Sequence, residues 1–186
     1  MIKDHNHPPP PGVLIVSGVP GSGKSTVARL IACRLPLAAY ISGDDVQECV
    51  KGGCVLPGQE PMHESDRQLR LRTRNVSLLA DSFFEAAVAP VIDDVVVEQD
   101  RLWAFTSDIK SRPVGMVILA PSPEIAVARD EARSGKTIAP HWSHLDTVMR
   151  TELAGVGLWI DNSHQTPEET AEQAINRVWG EGIICE

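Results

Sequence analysis

Eight consecutive residues near the start of the chain, Gly18-Val19-Pro20-Gly21-Ser22-Gly23-Lys24-Ser25, combine small residues with one cation and one hydroxyl. Their spacing fits Gly-x-x-x-x-Gly-Lys-Ser, in which Gly18, Gly21 and Gly23 let successive backbone N–H groups curl around phosphate oxygens without side-chain clashes. Lys24 would then bridge the β- and γ-phosphates of ATP, and Ser25 would ligate Mg²⁺ through its hydroxyl. The dipole of the helix after Gly23 adds a favourable field. Pro20, Ser22 and Thr26 complete the candidate nucleotide-binding set.

Two aspartate pairs come next. Val91-Ile92-Asp93-Asp94 is an apolar run ending in carboxylates, the pattern of a buried strand that delivers ligands from its carboxyl end. Asp93 is the candidate metal-side group and Asp94 a candidate on the substrate side; capping of the following segment would use the same letters. Ile41-Ser42-Gly43-Asp44-Asp45 repeats the arrangement. Asp44 is the candidate base for an attacking hydroxyl, with Asp45 as its neighbouring alternative on the substrate side, and a helix cap is again the plainer use.

Basic residues supply the remaining candidates. Arg129 and Arg133 lie four apart, ahead of Ser134-Gly135-Lys136, and would close over the nucleotide as a lid and offset charge on the transferring phosphoryl group. Surface arginines paired with Asp130 or Glu131 would read the same. Arg67, Arg70 and Arg74 share a helix face opposite Leu69, Val76, Leu79 and Phe83; Arg70 and Arg74 are candidate acceptor ligands, or simply a solvated face. His141 and His144, with Asp146 nearby, lack a convincing third metal ligand. Asn162 and Ser163 are adenine contacts or a turn, and Trp103, Trp142, Trp159 and Trp179 read as packing residues, Trp142 being the one worth testing as more.

These groups need a scaffold, and the apolar pattern supplies one. Val13–Ser17, Ala38–Ile41, Ala89–Ile92, Val114–Ala120 and Val156–Ile160 read as five buried strands. Helices are expected from Ser25 to Leu35, Glu64 to Val88, Glu98 to Ile109, Pro123 to Arg133, His141 to Leu153 and Pro167 to Trp179, the last opened by the cap Thr166-Pro167-Glu168-Glu169. Strand and helix alternate, so the expectation is one α/β domain over 13–186 with a parallel sheet, a lid at about 129–144 and a flexible Pro-rich tail over 1–12.

Together these residues resemble the small P-loop kinases, a group that includes gluconate kinase and adenylylsulfate kinase and is most similar here to chloramphenicol phosphotransferase. Beyond the phosphate loop, the likeness rests on Val91-Ile92-Asp93-Asp94-Val95, Arg129 through Ser134-Gly135, and Gly157-Leu158-Trp159-Ile160-Asp161 with the cap after it. Gly43-Asp44-Asp45-Val46 also looks like the Gly-Asp-Asn-Val of adenylylsulfate kinases. The resemblance implies a P-loop NTPase fold with a five-stranded sheet in nucleotide-kinase order, ATP and Mg²⁺, lid arginines at Arg129 and Arg133, and a base at Asp44 or Asp45. The segments Lys51–Gly58 and Pro61–Arg74 depart from that pattern, so the acceptor is not fixed by it.

Composition narrows the classes. With 17 basic and 25 acidic residues the net charge is −8, which argues against a broad electrostatic grip on nucleic acid. No apolar run approaches membrane-spanning length, and Cys33, Cys49, Cys54 and Cys185 fall at irregular spacings without a secretion signal, pointing to free thiols in the cytoplasm. The expected function is transfer of the ATP γ-phosphoryl group to a hydroxyl of a small molecule, an antibiotic or related secondary metabolite being the favoured acceptor. The alternatives are a nucleotide or polynucleotide-end kinase, and a non-catalytic ATP-dependent switch.

Overall fold

The computed structural model describes residues 11–132 and 144–186. Strands β1 (Val13–Gly18), β2 (Ala38–Ser42), β3 (Ala89–Asp93), β4 (Val114–Leu119) and β5 (Leu158–Ile160) form a parallel sheet in the order β2-β3-β1-β4-β5. Every residue of β1, β3 and β4 is buried, as parallel strands covered on both faces must be.

Because successive side chains point to opposite faces, each strand feeds two cores. Ile15, Ile92, Met116 and Ile118 pack toward α3 (Met62–Glu85), α4 (Gln99–Asp108) and α6 (His144–Glu152). Leu14, Val16, Val91, Val117 and Leu119 pack toward α1 (Lys24–Arg34) and α7 (Pro167–Glu181). The capping box at Thr166 and Glu169 is present, with Pro167 in the first turn of α7.

Three elements differ from expectation. A short helix α2 (Gly43–Glu48) follows β2 directly, and β6 (Ile183–Cys185) pairs antiparallel with β4 beside the start of β5, adding a sixth strand. The inner face of α3 is also not the apolar one. Ser65, Gln68, Arg72, Thr73, Val76, Ser77 and Ala80 are buried, whereas Leu79 and Phe83 are 42% and 37% exposed. The polar inner residues tie down the chain after α2. Gln68 binds the backbone at Gly53 and Val55, and Ser65 binds it at Leu56 and Gly58.

Of the tryptophans, Trp159 and Trp179 pack against the two cores, while Trp103 is 71% exposed and is not a packing residue. Trp142 lies outside the described residues, as does most of the expected tail and lid. Among the described residues no helix is long and apolar enough to cross a membrane.

Candidate functional site

The phosphate loop leaves β1 and turns straight into α1. That helix begins on Gly23 at φ 90° with no side-chain cap, so the N–H groups of its first turn, which no intrahelical carbonyl reaches, stay available. Gly21, at φ 80°, lies so close under the Ala126 carbonyl of α5 (Pro123–Glu131) that a Cβ would collide with it. The loop is braced from a second side: Asn162 Nδ2 donates to the Ser22 carbonyl at 3.0 Å, and Arg129 Nη2 donates to the Asn162 carbonyl at 2.8 Å. Arg129, expected over the transferring phosphoryl group, therefore clamps the segment after β5, and Asn162 is a buried loop tie. Arg133, Lys136 and His141 lie outside the described residues.

Pairing of β2 with β3 and of β3 with β1 sets Ser42, Asp93 and Val16 side by side, so the phosphate loop and both aspartate pairs emerge at one end of the sheet. The pleat then separates neighbours. Val91 belongs to the α1 core and Ile92 to the α3 core, so Asp93 falls on the α1 side, with Lys24 and Ser25, and Asp94 on the α3 side. Asp93 is buried; its Oδ2 accepts from the Tyr40 hydroxyl at 2.6 Å, and its Oδ1 has no hydrogen-bond partner among the described residues. Burial, and then Asp93 itself, push the Tyr40 hydroxyl up to about 12.

Asp94 is caged. Its carboxylate receives Arg72 Nη2, Arg101 Nη2 at 3.1 Å and the Val95 N–H at 2.7 Å, and its side chain is 1% exposed. Gly43 fits against it only because it lacks a Cβ, which would strike the Asp94 carboxylate. Arg101 is further held by Thr73 Oγ1 at 2.7 Å. Burial pulls the Arg101 guanidinium below its ordinary value, with Asp94 opposing and Arg72 adding to the fall. Asp94 is thus a buried counter-charge and not an open substrate ligand.

Arg72 spans from this cage to the surface: its Nη1 lies 3.3 Å from Asp44 Oδ1, and the Asp44 side chain is 84% exposed. Asp44 and Asp45 do not cap α2; Ser42 does, accepting the Asp45 N–H at 3.1 Å. Asp44 is left as an open carboxylate held in place by a buried arginine, and Asp45 is exposed beside it. Arg70 and Arg74 are exposed and sit roughly 200° around the helix from Arg72, so the structure does not bring them to this cluster. Arg67 pairs with Glu64 at 2.7 Å.

Sequence reasoning missed Arg72, Arg101 and Tyr40. The available signal for Arg72 was its place four residues from both Gln68 and Val76, on the stripe that faces inward. It also missed Arg150, which pairs with Asp146 at 2.8 Å and reaches the carbonyls of Ala120 and Pro121 beyond β4. Among the described residues no group of three or more His, Cys, Asp and Glu forms a metal cage. The residues present do fit a hydrated cation bound with a nucleotide. The buried Asp93 Oδ1 is an acceptor whose desolvation no hydrogen bond among the described residues offsets, and a metal-bound water would satisfy it.

Comparison with known proteins agrees with this fold. The chain is similar to a UPF0200 protein of Aeropyrum pernix, with 29% identity over 153 residues that cover 79% of this chain and 68% of that protein. Its fold matches a sugar kinase from Janibacter sp. HTCC2649 with a TM-score of 0.66 at 22% identity, over 88% of this chain and 91% of that one. It also matches the APS kinase of Mycobacterium tuberculosis, solved with AMPPNP and APS, with a TM-score of 0.63 at 16% identity, over 90% and 98% of the two chains. The fold is the one that these two kinases share, and a family profile described as an AAA domain matches residues 14–140, so the chain belongs to the AAA domain family.

Proposed function

We propose that this protein is an ATP-dependent phosphotransferase that moves the γ-phosphoryl group to a hydroxyl of a small molecule, with a hydroxylated antibiotic or related secondary metabolite as acceptor. The supporting observation is the convergence, at the carboxyl end of β2-β3-β1, of the phosphate loop, the unpartnered Asp93 oxygen and an open Asp44 held by Arg72. The antibiotic-type acceptor is supported by the sequence resemblance to chloramphenicol phosphotransferase.

In this reading Lys24 and the first-turn N–H groups of α1 bind the phosphates, and Arg133 offsets charge on the transferring group. Ser25 and Asp93 would hold Mg²⁺, which when bound neutralises phosphate charge. Asp44 takes the acceptor's hydroxyl proton as that oxygen bonds to the γ-phosphorus and ADP departs. Its exposure suits it to meet an acceptor from solvent, and Arg72 limits how far it swings. A nucleotide acceptor would call for Arg70 and Arg74, which are exposed and sit roughly 200° around α3 from Arg72.

The test is Asp44→Ala, assayed for ATP binding and for phosphoryl transfer separately. ATP affinity within twofold of wild type, with transfer reduced about 10²–10⁴-fold, is the expected result. Transfer that survives the substitution would remove Asp44 from the mechanism.

A further inference from the structure

Tyr40 is the one tyrosine of the chain, and its hydroxyl does something specific to Asp93. It occupies Oδ2 at 2.6 Å and leaves Oδ1, which is buried and has no partner among the described residues. A carboxylate with both oxygens open can rotate about its terminal torsion, which is broad and roughly two-fold. One oxygen tied to a rigid ring fixes where the other points.

The ring has a further contact. The Arg29 guanidinium stacks over Tyr40 at 4.7 Å from the ring centroid. Arg29 lies four residues after Ser25, so the two share a face of α1 one turn apart. Since α1 starts at the carboxyl end of β1 and runs back along the sheet, Ser25 stands on the loop side of Arg29, at the end of the sheet where Asp93 emerges. Ser25 and Asp93 therefore stand at the same end of this face, with Arg29 over Tyr40 one turn behind Ser25.

We infer that Tyr40 is a positioning residue for the nucleotide-bound cation: by holding Asp93 Oδ2 it aims Oδ1 at the metal's coordination shell, and Arg29 holds the ring that does so. This rests on the assignment of Asp93 to the metal side made above. Partners that orient a metal-side group typically change metal affinity by about 10-fold or more when removed.

The experiment is a titration of nucleotide affinity against Mg²⁺, with a fluorescent ATP analogue as probe, for wild type, Tyr40→Phe and Asp93→Asn. A parallel titration in EDTA gives the metal-free affinity. Phe keeps the ring under Arg29 and removes only the hydroxyl. The expected result is that Tyr40→Phe raises the Mg²⁺ concentration for half-maximal effect by about 10-fold, while the EDTA affinity moves by less than twofold. Asp93→Asn should lose most of the Mg²⁺ effect. If Asp93→Asn behaves so and Tyr40→Phe titrates like wild type, the positioning role is overturned and the metal-side assignment stands. If neither substitution alters the Mg²⁺ response, both are overturned together.

Discussion

Replacing Asp94 by Asn would remove one negative charge from between two guanidinium groups that have little access to water. The side chains of Asp94, Arg72 and Arg101 are 1%, 6% and 10% exposed, and Arg101 Nη2 lies 3.1 Å from the carboxylate. Asn keeps the shape but leaves two buried cations facing each other. Asp44 supplies little compensation, because it lies 3.3 Å from Arg72 on a side chain 84% exposed to screening water. Breaking a buried pair of this kind costs about 3–5 kcal/mol. For a chain of this size that corresponds to a fall in Tm of about 6–20 °C. Thermal unfolding followed by circular dichroism reads it directly, with denaturant melts to give the free energy. The double variant Asp94→Asn/Arg101→Met should recover part of the loss, with a coupling of about 0.5–3 kcal/mol. A single-variant loss below about 1 kcal/mol, or strictly additive effects, would refute the description of Asp94 as a buried counter-charge.

Further outcomes follow from the same geometry. Tyr40 gains its proton affinity on folding, so its contribution is complete below about pH 10, its usual range, and stability falls as the pH rises from there through about 12. Because it is the sole tyrosine, phenolate absorbance of the native protein reports it alone; an inflection near 12 is expected, and one near 10 would contradict the burial of its hydroxyl together with the Asp93 contact. Gly21→Ala would force a side chain into a left-handed conformation and against the Ala126 carbonyl, at a cost of about 1–3 kcal/mol. It should abolish ATP binding in a fluorescent-analogue titration, and undiminished binding would show that the loop does not need this close approach.

Much of the scaffold was legible because it depends on local pattern. The run Val13–Ser17, the glycine loop and the apolar residues of α1 specify strand, turn and helix within a few residues of one another, and the cap at Thr166 marks the start of α7. What was not legible depends on distant partners. β6 is three residues long and exists because β4 has an open stretch below β5. The six residues of α2 are too few to show a helical period. Period-two alternation does imply that Asp93 and Asp94 face opposite ways, yet only the packing of each face shows which one meets α1.

The arginines teach the same lesson in charge. Three that share an evident helix face, Arg67, Arg70 and Arg74, are solvated, while Arg72, out of step with them, is buried against a carboxylate 22 residues away. Helical spacing identifies which residues share a face but not which face turns inward when the inner one is polar, as it is on α3. Arg129 was placed on the right helix, but its nearest acceptor is a carbonyl beyond β5, contributed by a segment 33 residues on.

Phosphoryl transfer to a small-molecule hydroxyl leaves two products that can be followed together, ADP and a heavier acceptor. The protein is incubated with ATP and Mg²⁺ against a panel of hydroxylated antibiotics, nucleosides and sugars, following ADP release and the product mass, with Asp44→Ala as control. The expected result is an acceptor that gains one phosphoryl group with wild type and not with Asp44→Ala. ATP that binds tightly while no panel member gains a phosphoryl group, or a product formed equally well by the variant, would contradict it.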